Sequence, residues 1–202
     1  NVIRGVYRMS IRSEHFDCRN PAECCNPRSE SFCFVSSPIT ETYTFAEPII
    51  IVAEDDMGKV IGLLNYAVGD DAIVTNGAGN YAAFLHKHYT YRGYRTQLAP
   101  TSGSMGYGLP AGVAAKLAFP DRPVITLAGD GCFMMTCQEL ATCMQYDLPV
   151  ITIVANNGMY GTIRMHQERT YPGRVSATDL VNPDFAMLAR AYGCHGETVT
   201  RT

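Results

Sequence analysis

Two nearly continuous apolar runs, VITLAG at 124–129 and VITIVA at 150–155, constrain the fold of this chain more than any other feature. Neither run alternates polar with apolar residues, which indicates strands that are buried on both faces. The segment between them, TCQELATCMQY at 136–146, has the spacing of a helix. Strands buried on both faces and joined through helices predict a parallel sheet in a doubly wound α/β fold, with helices on both faces.

The alternation of strand and helix signals extends from about residue 49 to the C-terminus. Further strands are predicted within EPIIIVAEDD, DDAIVTNG and HGETVTRT, and further helices in MGKVIGLLNYAV, GYGLPAGVAAKLAF and NPDFAMLARAYG. In the last helix, Asn182 is expected to be the N-cap and Gly193 to follow the C-terminus. We assign residues 49–202 to one domain, which we expect to be incomplete at its C-terminus, and residues 1–48 to an irregular arm or linker.

Charge and hydropathy exclude several classes of function. Charged residues make up 17% of the chain, against ~25% in typical soluble domains, and the net charge is −3. No basic cluster indicates nucleic-acid binding, and no apolar run approaches the ~20 residues of a membrane span. An anionic ligand would therefore have to be held by backbone amides, by a helix N-terminus or by a metal ion.

The eight cysteines fall into two groups, and no C-x-x-C pair occurs among them. Cys132, Cys137, Cys143 and Cys194 lie in apolar or helical surroundings, which predicts buried free thiols in a cytoplasmic protein. The other four lie in the first 33 residues, at positions 18, 24, 25 and 33. They have no assigned role, and a small metal cluster remains an alternative there.

Polar, glycine-rich loops follow three of the predicted strands: TNGAGN at 75–80, AGDGC at 128–132 and ANNGMYG at 155–161. In open α/β sheets, ligands bind beyond the carboxyl ends of the strands, so neighbouring strands would bring these loops together. Asp130 and Asn157 offer the hard oxygen ligands that suit Mg²⁺ or Ca²⁺. Taken separately, the Asp after a strand is better explained as a helix N-cap, and Asn-Asn-Gly as a common turn.

Taken together, the loops have a distinctive spacing. GDG, then a helix and a strand, then NN, with 27 positions from Asp130 to Asn157, resembles the cofactor motif of thiamine diphosphate-dependent decarboxylases and acetolactate synthases. The likeness extends through PTSGSMGYGLPAGVAAKLAFPDRPVITLAGDG and NNGMYGTIRMHQE, and covers residues 57–202. It implies thiamine diphosphate and Mg²⁺ as cofactors, and a 2-keto acid substrate for decarboxylation or carboligation.

The resemblance also implies roles for individual residues. The metal ligands would be the side chains of Asp130 and Asn157 and the main-chain carbonyl of Met159. Contacts to the diphosphate would come from Gly79, Asn80, Gly131, Cys132, Tyr160, Gly161 and Thr162. Two of these positions depart from the family pattern: many relatives have Ser at position 132, and the acetolactate synthase branch usually has Gln-His at 79–80.

Two further residues are expected to contact the rings of the cofactor. The Gly103 carbonyl would accept a hydrogen bond from the 4′-amino group. Met105, 25 positions before Asp130, would wedge between the two rings and support their bent arrangement.

No catalytic residue is predicted within this chain. The resemblance implies an activating glutamate on a separate pyrimidine-binding domain of another subunit or chain, and a homodimer or homotetramer for the complete enzyme. Glu14 lacks the surrounding pattern of that glutamate, and Glu139 and Glu168 lie in the diphosphate domain. The isolated chain is therefore expected to be inactive. Two alternatives remain: the diphosphate-binding subunit of a split thiamine-dependent decarboxylase, and a non-catalytic cofactor-binding remnant.

Overall fold

The structure of the chain is a computed structural model that describes residues 48–53 and 56–200. The predicted arm, apart from Pro48, lies outside the described residues, as do its four cysteines and Glu14. No helix in the described part of the chain is long and apolar enough to cross a membrane.

The described residues form six strands and seven helices. In chain order these are β1 (Ile49–Ala53), α1 (Met57–Ala67), β2 (Ile73–Asn76), α2 (Asn80–His88), β3 (Gln97–Leu98), α3 (Gly108–Ala118), β4 (Val124–Gly129), α4 (Asp130–Thr136), α5 (Glu139–Gln145), β5 (Ile151–Ala155), α6 (Gly161–Thr170), α7 (Phe185–Ala191) and β6 (His195–Val199).

The strands form one sheet in the order β3-β2-β4-β5-β1-β6, and every pair is parallel. All six residues of the central strand β4 are buried, which agrees with its nearly continuous apolar sequence. In the register, Ile125 of β4 lies beside Val74 of β2 on one side and Ile151 of β5 on the other. The predicted parallel α/β fold is confirmed, and the three strands with polar loops are neighbours.

The sheet separates two hydrophobic clusters, and β4 contributes alternate residues to each. Val124 and Ala128 pack in a cluster with residues of α3, α4, α5 and α7. Ile125 and Leu127 pack in the other with residues of α1 and α2. This alternation follows from the period of two in a strand. Full burial of each large aliphatic side chain contributes about 1.5–3 kcal/mol, so this central strand anchors both faces.

Helix α3 packs closely on the sheet, as expected for a helix of small residues. A Cβ atom at Gly112 would lie 2.3 Å from Thr126 Oγ1 in β4. Thr126 in turn shares a 2.8 Å hydrogen bond with Thr75 Oγ1. Glycine at position 112 is therefore required by the close approach of helix and strand.

The predicted start of the last helix is wrong. Helix α7 begins at Phe185, and its N-cap is Asp184, whose Oδ1 accepts a 2.8 Å hydrogen bond from Met187 N. Asp184 reaches the third amide of the helix, which is the usual capping geometry. Asn182 lies two residues before the cap, and its side chain is directed elsewhere, as described below.

The free-thiol prediction is confirmed for the four cysteines in the described part of the chain. Cys132, Cys143 and Cys194 are buried, Cys137 is half-buried, and none forms a disulfide. Burial, with smaller effects from neighbouring Cys194 and Glu139, raises the pKa of the Cys143 thiol from 9.0 to about 12. Because the thiolate is the reactive form, Cys143 is protected both by burial and by protonation.

In the folded chain at pH 8, we expect iodoacetamide to modify Cys137 before Cys143, with peptide mass mapping as the measurement. Denaturation should make the two thiols react alike. The pKa of the Cys143 thiol is higher in the folded chain than in the unfolded chain. The contribution of this thiol to the free energy of unfolding is therefore complete below about pH 9 and is lost as the pH rises towards 12. Equal alkylation of both thiols in the folded chain would contradict this assignment.

Candidate functional site

A pocket of about 230 Å³ lies where β2, β4 and β5 end. All twelve residues predicted to contact a cofactor or metal line this pocket. Five further residues complete the lining: Ala78, Tyr81, Gly129, Ala155 and Ile163. The loops converge because their strands are adjacent in the sheet, as expected at the carboxyl edge of a parallel sheet. Glu139 and Glu168 do not line the pocket.

Asp130 is the central acid of the pocket, and it is only 3% exposed. Its Oδ1 accepts a 2.8 Å hydrogen bond from Gly131 N. Its Oδ2 accepts bonds of 2.8 Å from Gly158 N and 2.7 Å from Asn182 Nδ2. An ionised carboxylate offers about four acceptor directions, so three N–H donors leave roughly one. Such a carboxylate suits a single bond to a metal ion.

The loop after β5 supplies the other two predicted metal ligands. The exposed Asn157 side chain is oriented by a 3.1 Å hydrogen bond from Met159 N to its Oδ1. The Met159 carbonyl accepts a 2.9 Å bond from Gly161 N. Each oxygen therefore keeps a second lone pair.

Residues 178–180 hold this loop in place. Met159 pairs with Asp179 in an antiparallel bridge. Tyr160 N donates to Thr178 O, and Leu180 N donates to Gly158 O, each at 2.8 Å. The loop conformation is thus set by backbone hydrogen bonds, whatever the side chain at position 159.

Three helices begin at the pocket: α2 at Asn80, α4 at Asp130 and α6 at Gly161. None of these three described helices has a side-chain hydrogen bond at its N-cap. Some first-turn amides are already paired, Gly131 N with Asp130 Oδ1 and Gly161 N with Met159 O, and each helix directs the positive end of its dipole towards the pocket. Three helix N-termini around one pocket favour an anionic ligand without any lysine or arginine.

Glycines bring the backbone and two tyrosine rings together in this region. A Cβ atom at Gly131 would lie 2.6 Å from Tyr160 Cε1, and one at Gly79 would lie 2.7 Å from Tyr81 Cε1. Both distances are too short for a real side chain. The glycines at 79 and 131 therefore allow the rings to pack directly on the loops.

Polar contacts join the helices at the pocket mouth. Thr162 Oγ1 donates a 3.0 Å hydrogen bond to Asn80 Oδ1, which connects α6 with α2. Cys132 Sγ lies 3.0 Å from Ala78 O, its hydrogen-bond acceptor. Three of the predicted diphosphate contacts thus also hold the loops of the pocket to one another.

The two residues predicted to contact the cofactor rings, Gly103 and Met105, both line the pocket. Met105 is half-buried and packs against the core cluster that contains Ile125 and Leu127, while it also lines the pocket. Gly103 has φ +68°, the left-handed conformation that favours glycine.

Tyr81 and Asn182 are polar residues that the sequence analysis missed. Tyr81 is buried, and burial, followed by the neighbouring Cys132, raises the pKa of its hydroxyl well above the ordinary value. The phenol therefore stays neutral at physiological pH. Tyr81 directly follows the GAGN loop, which was the available signal, whereas Asn182 gave only the signal of a helix cap.

The donor set limits the kind of metal that this pocket can hold. Among the described residues there is no group of three or more His, Cys, Asp or Glu side chains that could hold a metal ion. A metal here would be held by one carboxylate, one amide oxygen and one main-chain carbonyl. Oxygen ligands of this kind suit Mg²⁺, which commonly takes few protein ligands and completes its coordination with phosphate oxygens and water.

Residues 77–202 match the family model for the C-terminal TPP-binding domain of thiamine pyrophosphate enzymes. The chain belongs to this family. It is 41% identical over 133 residues to the acetolactate synthase large subunit of Parasynechococcus marenigrum, covering 64% of this chain and 21% of that protein. It is 38% identical over 133 residues to the acetolactate synthase isozyme 2 large subunit of Escherichia coli, covering 65% of this chain and 24% of that protein.

The fold of the chain is also similar to that of a solved thiamine diphosphate-dependent enzyme. The thiamine diphosphate-dependent 4-hydroxybenzoylformate decarboxylase of Rhodococcus jostii RHA1 is 30% identical, with a TM-score of 0.65, over 83% of this chain and 30% of that chain. The chain spans between a fifth and a third of the length of these relatives. The matched segment 77–202 contains all twelve predicted site residues.

Proposed function

We propose that this chain binds thiamine diphosphate together with Mg²⁺, as the diphosphate-anchoring part of an enzyme that acts on 2-keto acids. The observation that carries the proposal is the pocket itself. A buried carboxylate with about one free acceptor direction lies there among the N-termini of three helices. This arrangement favours a cation and a polyanion bound side by side.

The proposed metal ligands are Asp130, Asn157 and the carbonyl of Met159. The proposed diphosphate contacts are Gly79, Asn80, Gly131, Cys132, Tyr160, Gly161 and Thr162, and the proposed ring contacts are Gly103 and Met105. The donor set supports Mg²⁺, because hard oxygen ligands fit a hard cation. The Mg²⁺ would also offset the repulsion between the diphosphate and the buried Asp130 carboxylate.

When bound, thiamine diphosphate supplies the carbanion-stabilising chemistry by which 2-keto acids are decarboxylated or joined to a second carbonyl compound. The part played by this chain is binding and orientation. Its helix N-termini hold the anionic end, and half-buried Met105 offers an apolar surface beside the pocket. The neutral Tyr81 phenol adds no negative charge next to the anion.

We further propose that activity requires a pyrimidine-binding domain from another subunit or chain, and that the complete enzyme is a homodimer or homotetramer. The acetolactate synthase relatives support this, since the chain aligns with only about a fifth to a quarter of their length. The four cysteines in the described part of the chain form no disulfide, which supports a cytoplasmic location. Pyruvate or benzoylformate turnover by the isolated chain at the rate of complete enzymes would contradict the need for a partner.

Calorimetry tests the binding proposal directly. The full chain is titrated with thiamine diphosphate in Mg²⁺ and again in EDTA. Binding in Mg²⁺ is expected to be at least about 10-fold tighter, because Asp130, Asn157 and the Met159 carbonyl would hold a cation that offsets the diphosphate charge. Thiamine without phosphates serves as the control ligand and should bind more weakly in both conditions. Equal affinity for thiamine diphosphate with and without Mg²⁺ would remove the metal from the proposal.

A further inference from the structure

The side chain of Asn182 connects Asp130, which lines the pocket, with Asn156, which follows β5. Its Nδ2 donates to Asp130 Oδ2 and to Asn156 Oδ1, each at 2.7 Å. Asp130 begins α4 directly after β4, whereas Asn156 follows β5. One amide group therefore ties together the ends of two neighbouring strands, and it does so on the acid that is proposed to bind the metal.

Asn182 is not needed as a helix cap. The N-terminus of α7 is capped by Asp184, so the helix does not need Asn182. The Oδ1 atom of Asn182 is buried and has no hydrogen-bond partner among the described residues. A buried acceptor without a partner is unfavourable. The observed orientation of the amide accepts this cost and directs both of its N–H groups towards Asp130 and Asn156.

The orientation of the amide is fixed by its partner. An ionised carboxylate accepts hydrogen bonds and donates none, so the group that faces Asp130 Oδ2 must be the Nδ2 of Asn182. The hydrogen bonds from Asn182 Nδ2 and from Gly158 N together occupy both acceptor directions of Asp130 Oδ2. The acceptor direction that remains on the carboxylate then belongs to Oδ1, which holds only the bond from Gly131 N.

We propose that Asn182 is a positioning residue for the metal ligand Asp130, an inference that rests on the proposed Mg²⁺ and diphosphate function. By holding Oδ2, Asn182 stops the carboxylate from rotating and leaves Oδ1 as the single atom that can bind the cation. Residues that hold a metal ligand in this way typically change metal affinity by about 10–100-fold when they are removed.

The test compares two variants of Asn182 with a neighbouring control in the full chain. Asn182→Ala removes the amide, and Asn182→Leu removes it while keeping the volume of the side chain. Asp184→Ala is the control, because it removes the α7 cap without touching Asp130. The Mg²⁺ affinity is measured by calorimetry at a fixed concentration of thiamine diphosphate, and the affinity for inorganic pyrophosphate is measured in EDTA.

Both Asn182 variants are expected to lose about 10–100-fold in Mg²⁺ affinity, with pyrophosphate affinity in EDTA unchanged. Asp184→Ala should lower the thermal midpoint and leave Mg²⁺ affinity as in the original chain. If Asn182→Ala fails to fold, Asn182→Leu alone decides, and binding of Mn²⁺ followed by electron paramagnetic resonance gives a second measure of the metal site.

Three results would overturn the proposal, and they have different meanings. Unchanged Mg²⁺ affinity in the Asn182 variants removes the positioning role and leaves the proposed function in place. An equal loss in Asp184→Ala assigns the effect to α7 rather than to the Asn182 amide. Absence of Mg²⁺-dependent binding in the original chain means that the proposed function is wrong, and the role of Asn182 then falls with it.

Discussion

Asp130→Ala is expected to weaken Mg²⁺-dependent binding of thiamine diphosphate by more than about 100-fold, the upper end of the losses seen for residues that only support a ligand. Asp130 is the one carboxylate among the residues that line the pocket, so its loss removes the main charge that holds the cation. Binding of thiamine diphosphate in EDTA should change little or become tighter, because a negative charge near the diphosphate has gone. Calorimetry with and without Mg²⁺ measures both effects.

Two further variants separate this effect from a loss of stability. Asp130→Ala leaves three donors without an acceptor, from Gly131, Gly158 and Asn182, and each buried unpaired donor costs about 1–3 kcal/mol. Asp130→Asn keeps the shape of the side chain and removes the charge, and it should also lose the response to Mg²⁺. Asp121→Ala, in the exposed turn before β4 and so at the edge of the sheet opposite the pocket, should bind like the original chain. A full response to Mg²⁺ in both Asp130 variants would exclude Asp130 as a metal ligand.

The central strands could be predicted from sequence because strands that are buried on both faces consist mainly of apolar residues. The runs at 124–129 and 150–155 are apolar except for Thr126 and Thr152, since both faces of β4 and β5 are covered. Helix α6 has no such apolar pattern, because none of its residues is buried. Strand β3 has only two residues, too few for any alternation. Helices α2 and α4 were also missed, although α2 buries Tyr81, Ala82 and Leu85.

The site was predictable where its residues follow strands, and not where they come from a distant loop. Asp130 and Asn157 stand directly after buried strands, which places them at one edge of the sheet. Asn182 reaches the same edge from 52 positions beyond Asp130, and local sequence carries no sign of that contact. The segment Asn-Pro-Asp offers two capping residues, and Asp184 takes the cap because its Oδ1 reaches Met187 N.

Phe133→Ala should lower the free energy of unfolding by about 3–5 kcal/mol, as for other buried phenylalanines. Phe133 is 1% exposed, and its ring lies edge-on to that of Phe185, with centroids 5.5 Å apart. This pair packs α4, which begins at Asp130, against α7, which follows Asn182. Thermal unfolding should show a fall in the midpoint of roughly 6–20 °C for a domain of this size.

Phe119→Ala is the matched control, because it removes the same side chain from a position that is 46% exposed. Its ring contributes chiefly a contact with the Arg122 guanidinium, 5.4 Å from the centroid, worth about 0.5–1 kcal/mol at an exposed site. Phe133→Leu retains most of the buried apolar volume and should fall between the two. Similar midpoints for Phe119→Ala and Phe133→Ala would mean that α4 and α7 are not held together by the Phe133–Phe185 contact. Asp130 and Asn182 would then have to be kept at hydrogen-bond distance by the backbone bonds of the loops alone.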